Sequence, residues 1–192
     1  MAKKKKDEEE KEQLSSFDSF KVDLYFWLQA LTMALVALIL IFTLVGRLIG
    51  VDGSSMVPTL HHGDMLVLQS LGYTPRRGDV VVLTQKSFSD SPIVKRVIAV
   101  GGQTVDIDYG SGTVYVDGVA TEEPYINEPM RNPDVETTTH VEVPEGSIFV
   151  MGDNRNHSTD SRFFSVGVVD ERCVLGRALL VLLPPQNFGV IE

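Results

Sequence analysis

Residues 25–46 read YFWLQALTMALVALILIFTLVG and contain no charged side chain. Because the hydrocarbon core of a bilayer, about 30 Å thick, requires roughly 20 apolar residues in a helix, we expect one transmembrane helix over this range. A cleaved secretory signal has a shorter apolar core of about 7–15 residues and a small-residue cleavage site after it. Here a polar tail precedes the run and Arg47 follows it, so the sequence predicts an uncleaved anchor.

Lysines and arginines near the span predict its orientation, because acidic residues contribute little to topology. Six lysines precede the span, whereas Arg47 is the one basic residue between it and Arg76. We therefore expect a single-pass protein of the plasma membrane with a cytoplasmic tail, residues 1–24, and an extracytoplasmic domain, residues 47–192. In the tail, four lysines are followed at once by four acidic residues, which is typical of a solvated, disordered segment.

The charge balance of the chain argues against nucleic-acid binding, which favours clustered positive charge. The 192 residues have a formal net charge of −9, and the part from Arg47 onward carries 11 basic and 19 acidic residues. Roughly 140 residues beyond the anchor suffice for one sizeable hydrophobic core. The single cysteine, Cys173, cannot form an internal disulfide, and its apolar neighbours indicate a buried structural thiol.

Short runs rich in β-branched residues, separated by turn residues, predict that the fold is mainly β. Gly-containing pairs between the runs supply the turns that antiparallel pairing needs, and no comparable helical pattern follows residue 50. Residues 121–139, which include three prolines, are expected to form an irregular excursion. The predicted strands cover residues 64–69, 79–84, 93–100, 104–107, 113–116, 140–143, 147–151 and 173–183.

Two serines, Ser54 and Ser55, stand between Gly53 and Pro58 just after the predicted span. Because proline disfavours helical geometry at the residue before it, we expect both hydroxyls on an extended loop. Loop serines are common, and serine is a poor nucleophile until a neighbouring base accepts its proton. The segment therefore indicates a catalytic site only if such a base exists elsewhere in the chain.

Lys95 is the best strand-borne candidate for that base. Strand alternation predicts that it shares a face with Val97 and Ala99, whose apolar side chains would desolvate the amine. A free lysine titrates near 10.4, and burial can lower its pKa by the roughly three units that bring it near neutrality. The alternative is a surface lysine at a strand edge, with its amine in water.

Histidines offer a weaker alternative. A Ser-His-Asp arrangement could draw on His61, His62, His140 or His157, but none of them stands in a recognisable motif. A metal site is less favoured still, because two adjacent histidines and one cysteine do not match the ligand spacing of metal centres. The sequence therefore predicts neither a metal nor a cofactor.

A third cluster, residues 151–162 (MGDNRNHSTDSR), follows the apolar run 148–150. It could be a capped polar loop and nothing more. Alternatively, one of its hydroxyls could orient a neutral lysine amine, with an Asp160 to Arg162 pair bracing the loop. A carboxylate placed directly against Lys95 would instead raise the pKa of the amine.

Together with the anchor, these segments resemble type I signal peptidases, the membrane-anchored Ser/Lys proteases that remove signal peptides from exported proteins. The resemblance implies a β-rich, partly barrel-like catalytic domain with an apolar face near the bilayer. It also implies preprotein substrates with small residues at positions −1 and −3, typically Ala-x-Ala. The matching segments are GSSMVPTL (53–60), GDMLV (63–67), RGDVV (77–81), KRVIAVGG (95–102) and GDNRNHSTDSR (152–162).

The resemblance also implies a role for individual residues. Ser55 would be the nucleophile and Lys95 its general base. Ser158 would hydrogen-bond the lysine amine, and Asp160 and Arg162 would form the supporting polar network.

The sequence departs from some members of this family at the expected oxyanion hole. Those members carry a serine two positions before the nucleophile, where this chain has Gly53, as is common in short Gram-positive members. Oxyanion stabilisation is therefore expected from backbone N–H groups, chiefly that of Ser55, with help from Ser54 or from water. Asn156 and His157 stand where Asp-Asn is frequent.

The expected partners are signal-peptide-bearing preproteins, membrane lipids and a nearby secretion translocon, without nucleic acid. One competing interpretation is a self-cleaving repressor peptidase, which the anchor and the lack of a basic DNA-binding segment disfavour. Another is a membrane-tethered, non-catalytic β-domain that binds exported peptides. A serine-directed acylating inhibitor would distinguish that domain from an enzyme, because only an activated serine would be labelled.

Overall fold

The computed structural model describes residues 19–39 and 47–191. The chain divides into two compact units, residues 1–43 and 44–192. In the first unit, Ser19–Ile39 forms a helix, α1, that is long and apolar enough to cross a membrane by length and composition. The described helix thus begins six residues before the predicted span. Residues 1–18 of the predicted tail and residues 40–46 of the predicted span lie outside the described part.

The second unit is mainly β, as the sequence predicts, and that fold class is confirmed. Each of the eight predicted strands is present, with ends within one residue of those expected. The sequence patterns missed β1, β7, β10 and β12, and the last three of these have only two residues each, too few to show a periodicity. The strands are β1 Arg47–Gly50, β2 Met65–Gln69, β3 Val80–Leu83, β4 Ile93–Val100, β5 Thr104–Asp108, β6 Thr113–Val116, β7 Val119–Ala120, β8 His140–Glu142, β9 Ser147–Met151, β10 Val169–Asp170, β11 Val174–Leu183 and β12 Gly189–Val190.

The strands form two antiparallel sheets. The larger sheet has the order β1-β2-β11-β3-β4-β9-β10, with β12 added beside β11, and it curls into a half-barrel. The smaller sheet has the order β7-β6-β5-β8. Between β7 and β8 run residues 121–139 without helix or strand. Since β4 ends at Val100 and β5 begins at Thr104, one short turn joins the two sheets.

Strand β4 lies in the middle of the larger sheet and has buried residues on both faces. Lys95 is opposite Val81 of β3, and it is 4% exposed. A bulge between Val97 and Ala99 shifts the register of β4 against β9 and breaks the simple alternation. Val97 and Ala99 consequently belong to different hydrophobic clusters. The prediction that they line one continuous face with Lys95 is therefore wrong, although the lysine is buried.

Cys173 is partly exposed rather than fully buried as expected. It stands in a short 3-10 turn before β11, where its carbonyl accepts a hydrogen bond from the Thr84 backbone N–H at 2.9 Å. Its side chain packs at the edge of the cluster that contains Val81 and Ile148. The thiol is therefore a packing group at the margin of the core.

Candidate active site

A loop between β1 and β2 presents Ser55. The loop is closed at its base by backbone hydrogen bonds from Val51 to Asp64 and from Gly63 to Val51. Gly53 has φ +96°, a conformation that other residues adopt only with strain. A turn then follows, in which the Val57 N–H donates to the Ser54 carbonyl at 3.2 Å. Ser55 is half-buried at the start of this turn, whereas Ser54 is exposed.

Lys95 meets Ser55 across 40 residues of sequence. Its Nζ donates to Ser55 Oγ at 2.7 Å. The backbone of β4 is fixed between β3 and β9, so the lysine projects from a rigid element rather than from a loop. The structure thus joins the two residues in the geometry of a nucleophile beside a base, within the usual 2.6–3.2 Å reach.

Burial lowers the pKa of Lys95 below its ordinary value of 10.5, because the charged amine loses its hydration. The carboxylate of Asp160 opposes this by raising the pKa, and that of Asp153 does so to a smaller extent. The guanidinium of Arg162 lowers it. Desolvation is the largest of these effects, so the site favours a neutral amine that can accept a proton.

Asp160 is fully buried and accepts five hydrogen bonds, one of them from the Arg162 backbone N–H at 3.3 Å. The other four come from Arg162 Nε and Nη2 at 2.8 and 2.9 Å, from the Gly152 backbone N–H at 2.9 Å, and from Ser158 Oγ at 2.8 Å. The bidentate arginine offsets the charge of the carboxylate and limits its effect on the neighbouring amine. The structure therefore gathers Ser158, Asp160 and Arg162, which the sequence selected, into one network.

The Ser158 hydroxyl donates to Asp160, and among the described residues it makes no hydrogen bond with the Lys95 amine. A carboxylate is a stronger acceptor than an amine or a hydroxyl, which accounts for this choice of partner. Ser158 nevertheless lies beside the nucleophile loop. A Cβ built on Gly152 would overlap Ser158 Oγ and come within 2.5 Å of the Ser55 carbonyl oxygen, so Gly152 separates the two serines.

Asn154 holds the nucleophile loop from the other side, a role that the sequence did not reveal. Its backbone N–H donates to the Ser55 carbonyl at 3.0 Å, and its Nδ2 donates to the Ser54 carbonyl at 3.0 Å. Successive carbonyls of the loop are thus fixed by one buried residue. The sequence could have pointed to Asn154 only through its position in the polar cluster of residues 151–162. Its partner Ser54 lies 100 residues earlier in the chain, so the contact itself was not predictable.

Arg96 and Asp153 form a second buried ion pair beside Lys95, also missed by the sequence analysis. Arg96 Nε and Nη2 donate to the two oxygens of Asp153 at 2.9 and 2.8 Å, and both side chains are at most 2% exposed. The Thr59 hydroxyl donates to the same carboxylate. The guanidinium also lies 4.0 Å from the centroid of the Tyr125 ring. This cluster connects β4 to the end of the nucleophile loop.

The backbone N–H of Ser55, the expected oxyanion donor, has no hydrogen-bond acceptor within residues 19–39 and 47–191. Two residues earlier, the Gly53 N–H donates to His62 Nδ1 at 3.3 Å. An unpaired N–H beside a serine hydroxyl is suitably placed to bind a negative oxygen.

A cleft of about 280 Å³ opens at Ser55 and Lys95. Its walls are mixed, with buried apolar side chains at its base and exposed residues at its rim. A concave surface with a few convergent polar groups is typical of a ligand-binding site. It is lined by residues 50–56, Phe88, residues 92–95, His157 and Thr159.

No histidine side chain hydrogen-bonds Ser55 Oγ within the described residues, although His157 lines the same cleft. The only side chain that hydrogen-bonds Ser55 Oγ in the described part of the chain is Lys95. His62 contacts Asp52 at 3.2 Å, and His140 pairs with Asp106 on the surface. The contact with Ser55 Oγ therefore favours a lysine base over a histidine base. Within the described ranges, no group of three or more His, Cys, Asp or Glu side chains could hold a metal ion.

Comparisons with known proteins agree with one another. The family model described as "Signal peptidase, peptidase S26" matches residues 24–183. A probable signal peptidase I-1 from Synechocystis sp. is 38% identical over 83% of this chain and 82% of its own length. Signal peptidase I from Bacillus licheniformis is 36% identical over 85% and 91%.

A crystal structure of a signal peptidase I from Enterococcus faecalis is 32% identical, with a TM-score of 0.45 over 58% of this chain and 98% of that one. The family model covers far more than half of the chain, and the curated relatives extend over most of it. This chain therefore belongs to the signal peptidase family, peptidase S26, a family of serine endopeptidases that remove signal peptides.

Proposed function

We propose that this protein removes signal peptides by Ser/Lys acyl-enzyme catalysis, with Ser55 as the nucleophile and Lys95 as the general base. The observation that carries the proposal is the 2.7 Å contact between the buried Lys95 amine and Ser55 Oγ. Ser55 attacks the carbonyl of the scissile peptide while Lys95 accepts its proton. The amine then returns that proton to the leaving nitrogen, and water hydrolyses the acyl-enzyme.

The lowered pKa of Lys95 supports its role as base, because burial leaves a larger fraction of the amine neutral near physiological pH. The desolvating environment has a second effect. The ammonium formed by proton transfer is unfavourable there, so the proton passes readily to the leaving amine. Arg162, which lowers the pKa of Lys95, and Asp160, which raises it, set the balance between these two steps.

Ser158 and Asp160 act in this proposal as the groups that orient the amine. Asp160 fixes the Ser158 hydroxyl by accepting its hydrogen at 2.8 Å. The oxygen of that hydroxyl keeps lone pairs for an N–H of the lysine once Ser55 has become an ester and no longer bonds the amine. Arg162 keeps Asp160 in place through its bidentate contact.

The oxyanion of the tetrahedral intermediate binds to the unpaired backbone N–H of Ser55. Its loop is held rigid by Asn154 and by the turn after Gly53, so the donor needs no reorganisation during the reaction. The hydroxyl of Ser54, the exposed residue just before Ser55, is a second donor that could hydrogen-bond the oxyanion.

The cleft supports a preference for small side chains at positions −1 and −3 of the substrate, as in Ala-x-Ala. Its base consists of the buried side chains Val51, Met56 and Val94. Apolar walls without a buried charge beyond Lys95 favour small, uncharged residues. We propose that these walls exclude larger side chains next to Ser55.

Residues of α1 anchor the enzyme in the plasma membrane, with the tail cytoplasmic and the catalytic unit on the outer side near the translocon. The catalytic unit also exposes apolar side chains suited to contact with lipids, namely Leu182, Leu183, Phe188 and Val190. Confining enzyme and preprotein to one surface raises their effective concentration. The cleavage site follows the membrane-embedded part of the signal peptide, so its distance from the bilayer surface is set by the membrane.

The decisive experiment uses the full-length protein in liposomes and a preprotein with Ala-x-Ala before its mature start. We expect cleavage after the final Ala, abolished in Ser55→Ala and retained in the matched control Ser165→Ala, which changes an exposed serine outside the cleft. Lys95→Ala should also be inactive while remaining folded. A Lys95→Ala variant that processes the preprotein at the parent rate would contradict the Ser/Lys assignment. Stoichiometric labelling of Ser55 by an acylating inhibitor would separately exclude a protein that only binds peptides.

A further inference from the structure

The excursion, residues 121–139, lies along the polar loop of residues 151–162 and is hydrogen-bonded to it repeatedly. The Asn127 backbone N–H donates to the Asp153 carbonyl at 3.1 Å, and the Thr138 N–H donates to the Arg162 carbonyl at 2.9 Å. Asn156 accepts from the Arg131 N–H at 2.9 Å. Nothing in the proposed reaction uses these contacts, yet the loop that they hold carries several groups of the site.

The strongest link between the two segments is a buried ion pair. Arg155 Nη1 and Nη2 donate to the two carboxylate oxygens of Glu123 at 2.8 and 2.6 Å. The side chain of Arg155 is 0% exposed and that of Glu123 is 7% exposed. A bidentate pair at this depth has one geometry, so it fixes where the loop stands relative to the excursion.

Arg155 passes this constraint to the backbone beside the nucleophile. Its Nε donates to the Gly152 carbonyl at 3.1 Å. Gly152 is in turn the residue wedged between Ser158 and the Ser55 carbonyl oxygen. Its N–H is held by Asp160 at 2.9 Å. The peptide groups on both sides of this glycine are therefore fixed, one by Asp160 and the other by Arg155.

We propose that Glu123 is a positioning residue for catalysis, acting through Arg155 to set the place of Gly152 and hence of Ser55 relative to Lys95. The inference rests on the proposed Ser/Lys function. Without the carboxylate, the guanidinium loses both of its charged contacts and turns toward other acceptors. The Gly152 carbonyl then loses its hydrogen bond from Arg155 Nε, and the backbone at Gly152 becomes more mobile. The nucleophile loop, which packs against Gly152, shifts with it.

The test is Glu123→Gln in the full-length protein, which keeps the size of the side chain but removes its charge. The matched control is Glu122→Gln, which changes the exposed neighbouring carboxylate. We expect kcat to fall about tenfold or more with KM within about twofold, because the reacting atoms are misplaced while the cleft is unchanged. The control should keep the parent kcat. Thermal unfolding measured in parallel ensures that only folded protein is compared.

A double variant tests whether Glu123 acts through Arg155. If it does, adding Glu123→Gln to Arg155→Met should lower kcat no further than Arg155→Met alone, whereas independent effects would multiply. Glu123→Asp, which keeps the charge with a shorter reach, should recover part of the lost kcat. It also serves as the test variant if Glu123→Gln does not fold.

The outcomes distinguish failure of the positioning role from failure of the proposed Ser/Lys function on which it rests. If the parent does not cleave the preprotein, the proposed function fails. If the parent cleaves and Ser55→Ala does not, but Glu123→Gln has the parent kcat, only the positioning role is refuted. A raised KM with unchanged kcat would also refute it, because Glu123 would then belong to substrate binding.

Discussion

Gly152 is the position at which the smallest change should cost the most activity. A Cβ there would overlap Ser158 Oγ and lie 2.5 Å from the Ser55 carbonyl oxygen. Ordinary contacts between such atoms are about 3.5 Å, so Gly152→Ala must move one of the serines by about 1 Å. A shift of that size can reduce the rate about 100-fold, equivalent to about 2.7 kcal/mol in the barrier.

The fold should survive the same substitution. Overpacking of a buried site costs about 1–3 kcal/mol, which is less than the total stability of a typical domain, about 5–15 kcal/mol. We therefore expect a folded Gly152→Ala variant with a lower melting temperature and a kcat/KM reduced about 100-fold in a fluorogenic signal-peptide assay. Gly189→Ala is the control, because a Cβ at Gly189 meets nothing nearer than 3.9 Å.

An unchanged kcat/KM in folded Gly152→Ala would refute the reasoning. It would mean that the separation of Ser55 and Ser158 does not control the reaction. If Gly152→Ala loses both activity and folded protein, acylation of Ser55 should be measured in the fraction that remains folded. Slow acylation in that fraction would support the reasoning, and acylation at the parent rate would refute it.

Three further predictions concern charge. The value of kcat/KM should rise with pH as Lys95 loses its proton, with a midpoint below the ordinary lysine pKa of 10.5, measured as a pH–rate profile. Stability should rise with pH between the lowered folded-state pKa of Lys95 and its unfolded value, because the unfolded chain binds more protons in that window. Lys95→Met should flatten this rise in denaturant titrations. Arg96→Met should lower the free energy of unfolding by about 3–5 kcal/mol, since it leaves the Asp153 carboxylate buried without its ion pair. Arg172→Met, at a side chain 89% exposed, should leave unfolding unchanged.

The strands were predictable because their signal is local. Strand β4 was expected at residues 93–100 and is observed at Ile93–Val100. β-branched residues between turn residues specify an extended segment whatever its partners are. The two-residue strands β7 and β10 carry no such signal, because they exist only where a neighbouring strand offers hydrogen bonds.

The effect of the bulge in β4 was not predictable by alternation. Alternation assumes one residue per position along the pair, and the extra residue between Val97 and Ala99 changes which face the later side chains occupy. Burial of Lys95 follows from strands on both sides of β4 and from the loops that cover it. Those are properties of the assembled sheet.

By itself, the sequence determined the apolar run, the mainly β fold class and the short list of serine, lysine and loop residues from which a site could be built. Only the tertiary structure decided that Lys95 lies 2.7 Å from Ser55, that Asp160 takes the Ser158 hydroxyl, and that Asn154 holds the nucleophile loop. The reason is physical. Strand and span signals depend on the spacing of neighbouring side chains, whereas these contacts join distant parts of the chain, and the pKa of Lys95 depends on the burial that their packing creates.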